Sequence, residues 1–259
     1  MTNISIKLLT LVSLVFGFLP SAEAADPTVV ALFGDSTSQG FNTNFQERGF
    51  AMARLNHGQP SVQLTKLLNE SNRPSVVPNL GWGGTSSGPA VFTGLQGNVN
   101  GVDRINSHLS DLRRDVPGKA YYALIMYGTN DFAFGIPAST TGFNNGLMIR
   151  SANANGYTAL VSSIPPCDLC ANNVVNINSS ISREVQRQID SGADAHFVDN
   201  HSVLRGGWNT ALSDPDGVHP TDEGYKVIAQ KWFDDKLEQL IKPELMHTLS
   251  PVISLLLDE

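Results

Sequence analysis

The sequence predicts an α/β fold: a single-domain three-layer α/β/α sandwich around a mainly parallel five-stranded sheet. Three observations predict it. Short β-rich runs recur at 28–34, 75–80, 121–127, 157–164 and 195–200. Several are apolar almost without interruption, as strands covered on both faces must be. Between them the apolar residues switch to a spacing of three or four, the period of a helix with one buried face. Strands alternating with helices pair in parallel, because each helix carries the chain back to the same end of the sheet.

Taken in order, the first element is an export signal rather than part of the fold. Lys7 precedes an apolar run from Leu8 to Leu19, and Ala22-Glu23-Ala24 supplies a small-x-small cleavage pattern. The run is well short of the roughly 20 residues a spanning helix needs. Residues 1–24 are therefore expected to be removed, leaving 25–259 as one domain that begins near Ala25 or Asp26, with no stable membrane anchor and a secreted or periplasmic location. After the strand at 28–34 and the strand at 75–80, Val102, Ile105, Leu109 and Leu112 mark one helix. The strand at 121–127 leads into 132–156, rich in Gly, Asn and Ala with weak periodicity, which reads as a loop insertion near the site. Beyond the strand at 157–164, Ile177, Ile181, Val185 and Ile189 mark a second helix. The strand at 195–200 is followed by a third, carried by Tyr225, Ile228, Ala229, Trp232, Leu237 and Ile241. Thr221 is its expected cap, with Asp222 and Glu223 in the first turn. The tail, 246–259, is apolar at Val252, Ile253 and Leu255–Leu257 and is expected to pack on the domain surface, with an interaction segment as the alternative.

Composition narrows the function. Hydrophobic content of 41% and charged content of 16% suit a compact globular chain. The formal net charge of −7 repels nucleic acid and anionic lipid at long range, so neither is an expected partner. Cys167 and Cys170 are the only cysteines. In an exported protein the pair reads as a small local disulfide; two thiolates alone do not complete a tetrahedral metal site, and the surroundings lack the rest of a thiol-redox pattern.

Open parallel sheets bind ligands at the carboxyl ends of their strands. Four polar clusters fall there. The first strand ends in Gly34-Asp35-Ser36, with Gly40 four residues after the serine; the second in Asn79-Leu80-Gly81-Trp82-Gly83-Gly84; the third in Gly128-Thr129-Asn130-Asp131. After the fifth comes Asp216-Gly217-Val218-His219. Such residues have a chemistry in common. A serine hydroxyl becomes a nucleophile when a neighbouring base takes its proton, and histidine suits that role near neutral pH. A carboxylate on the far ring nitrogen fixes the tautomer, and Asp216, three residues before His219, is spaced to do so.

These four blocks, GDS, NxGxxG, GxND and DxxH in that order, resemble the conserved blocks of the SGNH (GDSL-type) hydrolases and span 34–219. The resemblance implies a flavodoxin-like α/β/α fold and an ester hydrolase without metal or organic cofactor. Carried over residue by residue, it implies Ser36, Asp216 and His219 as the catalytic triad, and Ser36, Gly84 and Asn130 as donors to an oxyanion. Gly83 competes with Gly84 for that last role. Thr37 stands where many members have a hydrophobic residue, which leaves the subfamily open. Asp35 and Asp131 are expected to brace turns through backbone hydrogen bonds. Trp82, Phe132, Phe134 and Trp208 lie close to the motifs and are candidates for lining an acyl or sugar pocket. The implied substrate is a small-molecule, acylated carbohydrate or lipid ester with a short to medium acyl or acetyl group. An acyltransferase at the same site, or a non-catalytic carbohydrate- or envelope-binding module on the scaffold, are the alternatives. A binding module is expected to have lost one of these residues, and all are present.

Overall fold

Residues 28–34 are all buried, and as β1 (Thr28–Gly34) they form the spine of the sheet. The computed structural model describes residues 26–41, 60–89, 99–170 and 173–244. The expected signal (1–24) and the apolar tail (246–259) lie outside them. β1 is flanked in parallel by β2 (Ser75–Val76) and β3 (Ala120–Met126); β4 (Thr158–Ser162) and β5 (Ala195–Val198) follow, giving the order β2-β1-β3-β4-β5. Every pairing is parallel, and β1 pairs with β3 along its whole length, Thr28 opposite Ala120 through Gly34 opposite Met126. The five strands are those the sequence predicts, and the second is shorter than expected. Pro78 has no N–H to donate, so beyond Val76 the chain follows β1 through single bonds: Leu32 N–H to the Pro78 carbonyl, Leu80 N–H to Leu32, and Trp82 N–H to Gly34.

Alternation along the strands sorts the core into two layers. Ala31, Phe33, Ala123, Ile125, Ala159 and Val161 face α3 (Gly101–Asp115), α4 (Ala138–Ala154) and α5 (Asn173–Asp190). Val30, Leu32, Leu124 and Leu160 face α2 (Pro60–Glu70) and α7 (Asp222–Trp232). The three-layer sandwich is thus as expected, and α3, α5 and α7 carry the predicted apolar stripes. Thr221 caps α7, its hydroxyl accepting from Gly224 N–H at 3.1 Å.

The stretch 132–156 is a correction. It holds α4, a 17-residue helix, where a loop was expected. Its buried side includes Gly142, Asn144, Asn145 and Gly146. With small and polar residues inward, the apolar period that marks a buried helix face is absent from the sequence. Trp208 is also reassigned: 3% exposed, it packs in the second core layer with Leu204 of α6 (Asn200–Arg205) and Tyr225, within a π-helical turn (Trp208–Leu212).

Candidate active site

Strand order reverses direction between β1 and β3, and chain leaving those two strands diverges to leave a crevice. At the end of β1, Asp35 caps a single helical turn, α1 (Ser36–Gln39), its carboxylate accepting from Thr37 N–H at 3.0 Å. Gly34 is required just before it. A Cβ there would overlap Ser38 Oγ and the Met126 carbonyl, so any other residue would push α1 off the sheet. Ser36 is thereby fixed at the mouth of the crevice, 7% exposed.

The loop 213–221, between the π-helical turn (Trp208–Leu212) and α7, reaches back to it. His219 Nε2 lies 2.8 Å from Ser36 Oγ, and His219 Nδ1 lies 2.6 Å from Asp216 Oδ2. A carboxylate can only accept, so Nδ1 carries the hydrogen and Nε2 is left to accept from the serine hydroxyl. Asp216 also takes the backbone N–H groups of Val218 and His219 on Oδ1, at 2.9 and 3.0 Å. Burial pushes the Asp216 carboxyl up, but the hydrogen bonds from the His219 ring and from these two amides outweigh it and hold the group below its ordinary range. Phe41 packs against the imidazole with ring centroids 4.8 Å apart, and Tyr225 holds Phe41 through its carbonyl at 2.6 Å.

The opposite wall comes from the β2 and β3 ends. Gln39 Oε1 accepts from Gly83 N–H at 2.9 Å. That commits Gly83, and among the described residues the Gly84 N–H donates to none. Gly84 has φ +75°, a conformation that favours glycine. Asn130 Nδ2 donates to the Thr85 carbonyl at 2.9 Å, tying the third block to the second. Beneath it Asp131, wholly buried, accepts from Ser87 N–H at 2.8 Å, Ser87 Oγ at 2.5 Å and Thr141 Oγ1 at 2.6 Å. Asp35 and Asp131 therefore brace turns, as expected. Burial raises both carboxyls; Asp35 reaches about 6.

Every residue that the four motifs pick out lies on this rim, and Ser36, His219 and Asp216 form one hydrogen-bonded chain. Cys167 and Cys170 are joined by the expected disulfide. Four supporting residues were not foreseen. Gln39 lies inside the first block but carries no signal of its own. Thr141 and Asn144, which donates to Ser87 Oγ at 2.9 Å, belong to the helix that reads as a loop. Arg104, buried in α3, lies over Trp82 at 4.9 Å from the ring centre, with Trp82 itself 46% exposed. No three His, Cys, Asp or Glu side chains cluster as metal ligands among the described residues.

A profile of the GDSL-like lipase/acylhydrolase family matches residues 32–227. None of the curated proteins matches the chain. Among solved structures, a carbohydrate acetylesterase family member from Sinorhizobium meliloti is similar at 18% identity and TM-score 0.57, over 90% of this chain and 100% of that one. A family 3 carbohydrate esterase from Clostridium thermocellum aligns at 20% identity and TM-score 0.56, over 83% and 100%. The psychrotrophic esterase EstA from Pseudoalteromonas aligns at 17% identity and TM-score 0.55, over 83% and 99%. At these identities the structural likeness speaks for the fold, and the profile, covering most of the chain, for the family. The chain belongs to the GDSL-like lipase/acylhydrolase family and is a carboxylic ester hydrolase on the SGNH fold.

Proposed function

We propose that the protein hydrolyses acetyl or other short acyl esters of carbohydrates outside the cytoplasm, through an acyl-enzyme on Ser36. The observation that carries the mechanism is the continuous chain Ser36 Oγ–His219–Asp216, with separations of 2.8 and 2.6 Å. Ser36 Oγ attacks the ester carbonyl while His219 Nε2 takes its proton. Asp216 stabilises the imidazolium that forms. The carbonyl oxygen, now negative, is met by the Ser36 and Gly84 amides and by Asn130 Nδ2. The C–O bond to the alcohol breaks as His219 returns the proton to the departing oxygen. A water then attacks the acyl-serine with His219 again as base, releasing the carboxylic acid and restoring Ser36.

The carbohydrate reading rests on two supports. Two of the solved proteins of this fold are described as carbohydrate esterases. In this chain Trp82 and Phe132, beside the second and third blocks, are 46% and 47% exposed, and Arg104 backs the indole. An open aromatic face held from behind is a surface on which a sugar ring stacks. Residues 1–24 are the export signal in this reading, and the Cys167–Cys170 disulfide fits an oxidising compartment.

The test is turnover of a p-nitrophenyl acyl series, acetyl through palmitoyl, and of an acetylated polysaccharide, by residues 25–259 beside Ser36→Ala. The expected result is a maximum at acetyl, release of acetate from the polysaccharide, and a fall in kcat of at least about 10⁴-fold in the variant. Turnover retained in Ser36→Ala overturns the mechanism, and a long-chain optimum overturns the substrate class. Trp82→Ala is expected to raise KM for the polysaccharide several-fold and leave p-nitrophenyl acetate nearly unchanged.

A further inference from the structure

The disulfide is not accounted for by the chemistry above, yet it stands against both halves of the site. Cys167 and Cys170 close a turn in which Cys170 N–H returns to the Cys167 carbonyl at 3.2 Å. Both half-cystines are nearly buried, at 6% and 4% exposure, and pack in the core layer with Ile164, Val174 and Ile177. The turn is thus anchored from behind, between the end of β4 and the start of α5.

Its front edge makes two contacts. Asp168 N–H donates to the Gly217 carbonyl at 2.8 Å. Gly217 lies between Asp216 and His219, so this bond grips the acid–base loop at its middle. Gly217 has φ +65°, and a Cβ on it would come within 2.7 Å of Asp168 Oδ2. The loop therefore presses on the turn with no room for a side chain between them. On the other side Cys170 Sγ lies 3.8 Å from the carbonyl of Thr129, the residue before Asn130. One cross-linked turn consequently touches the segment bearing the general base and the segment bearing the oxyanion amide.

We propose that the Cys167–Cys170 turn is a positioning element that sets the register of the Asp216–His219 loop against Ser36 and Asn130. The inference rests on the serine mechanism proposed above. Without the cross-link the turn is an ordinary loop segment, and Asp168 is free to drift from Gly217. A displacement of about 1 Å at a reacting group can cost up to about 10²-fold in rate while substrate binding is little changed. The bridge joins residues only three apart, so its effect on the unfolded chain is at the small end for disulfides and the fold should survive its loss.

The experiment compares wild type, Cys167→Ser/Cys170→Ser and Ser36→Ala on p-nitrophenyl acetate, together with the rate at which a fluorophosphonate labels Ser36. The expected result for the cysteine variant is a native circular dichroism spectrum, kcat lowered about tenfold or more, KM within about twofold, and labelling slowed in proportion to kcat. A folded cysteine variant with wild-type kcat and labelling rate overturns the positioning role, while an inactive Ser36→Ala leaves the serine mechanism standing. Turnover retained in Ser36→Ala overturns the mechanism and the inference with it. A second measurement does not depend on the variant folding. Wild type is reduced with a phosphine and its thiols are titrated. Turnover should fall as two thiols per chain appear and return on reoxidation; full turnover with both thiols free overturns the proposal.

Discussion

Asp35 occupies the least comfortable position in the site, a carboxyl with no exposed surface next to Ser36. Burial raises its pKa from 3.8 to about 6, although the Thr37 amide and the nearby His219 both pull it down. A carboxyl whose folded pKa lies above its unfolded value contributes no penalty below about pH 4, where it is neutral in both states. Between about pH 4 and 6 the unfolded chain gives up this proton while the folded protein keeps it, so stability falls across that window by up to about 3 kcal/mol and stays level above it. Asp35→Asn keeps an oxygen for the Thr37 amide and removes the charge, while leaving an added amide donor that offsets part of the gain. The expected outcome is a Tm about 2–4 °C above wild type at pH 8, shrinking toward zero at pH 4. A difference that is flat across that range would show that ionisation of Asp35 costs the fold nothing. In the proposed mechanism Asn130 acts at the other end of the reaction, as an oxyanion donor. Asn130→Ala removes one oxyanion donor and should lower kcat by about 10²–10³ with KM little changed, measured on p-nitrophenyl acetate. At this scale the sequence was informative wherever chemistry is local. Asp216 and His219 are three residues apart, and that spacing alone permits their contact. The choice between Gly83 and Gly84 was not local, because it turns on Gln39, which lies in another block and takes the Gly83 amide.

Among the elements, α4 shows where pattern reading loses its signal. β1, β3, β4 and β5 are apolar runs, and α3, α5 and α7 carry residues at helical spacing, so each announces itself. α4 instead meets α5 through small residues. At Gly142 an added Cβ would overlap Ser180 Oγ and lie 2.7 Å from the Ser180 carbonyl oxygen, and at Gly146 it would overlap the Glu184 carboxylate. The two helices approach closely because there is nothing between them, and an absence of side chains leaves no periodicity to read. Gly142→Ala should therefore destabilise, since the backbone it meets cannot rotate away. The overpacking costs about 1–3 kcal/mol, against a gain of about 0.5–1 kcal/mol in helix propensity. A Tm lowered by about 2–8 °C is expected in thermal unfolding. Gly206→Ala is the matched control. Gly206 has φ −68° and nothing within 4 Å of an added Cβ, so the same change there should raise Tm by about 1–3 °C. Equal effects at the two positions would mean that the close approach of α4 and α5 does not govern the outcome.

For the whole molecule, topology converts scattered motifs into one site. All five strands run the same way, so residues that follow β1, β2 and β3 emerge on a single rim, and the loop before α7 returns Asp216 and His219 to it. This was legible, because alternation of strands and helices implies parallel pairing and parallel pairing implies one functional edge. The field over that edge follows from the same arithmetic of charge. The chain carries a formal net charge of −7 with histidines neutral, and the rim holds Asp35, Asp131 and Asp216 against Arg104. An anionic ester approaches this edge against repulsion, whereas a neutral one does not. Added salt shortens the range of that repulsion, from about 30 Å at 0.01 M to about 8 Å at 0.15 M. The kcat/KM for an acetyl ester of 4-hydroxybenzoate should thus rise about twofold or more over this interval, with kcat steady, because screening acts on the approach and not on the bound complex. The neutral p-nitrophenyl acetate should change little under the same conditions. If the anionic ester instead loses efficiency with salt, a local cation such as Arg104 outweighs the net charge at the site, and the preferred alcohol would then be an acidic sugar.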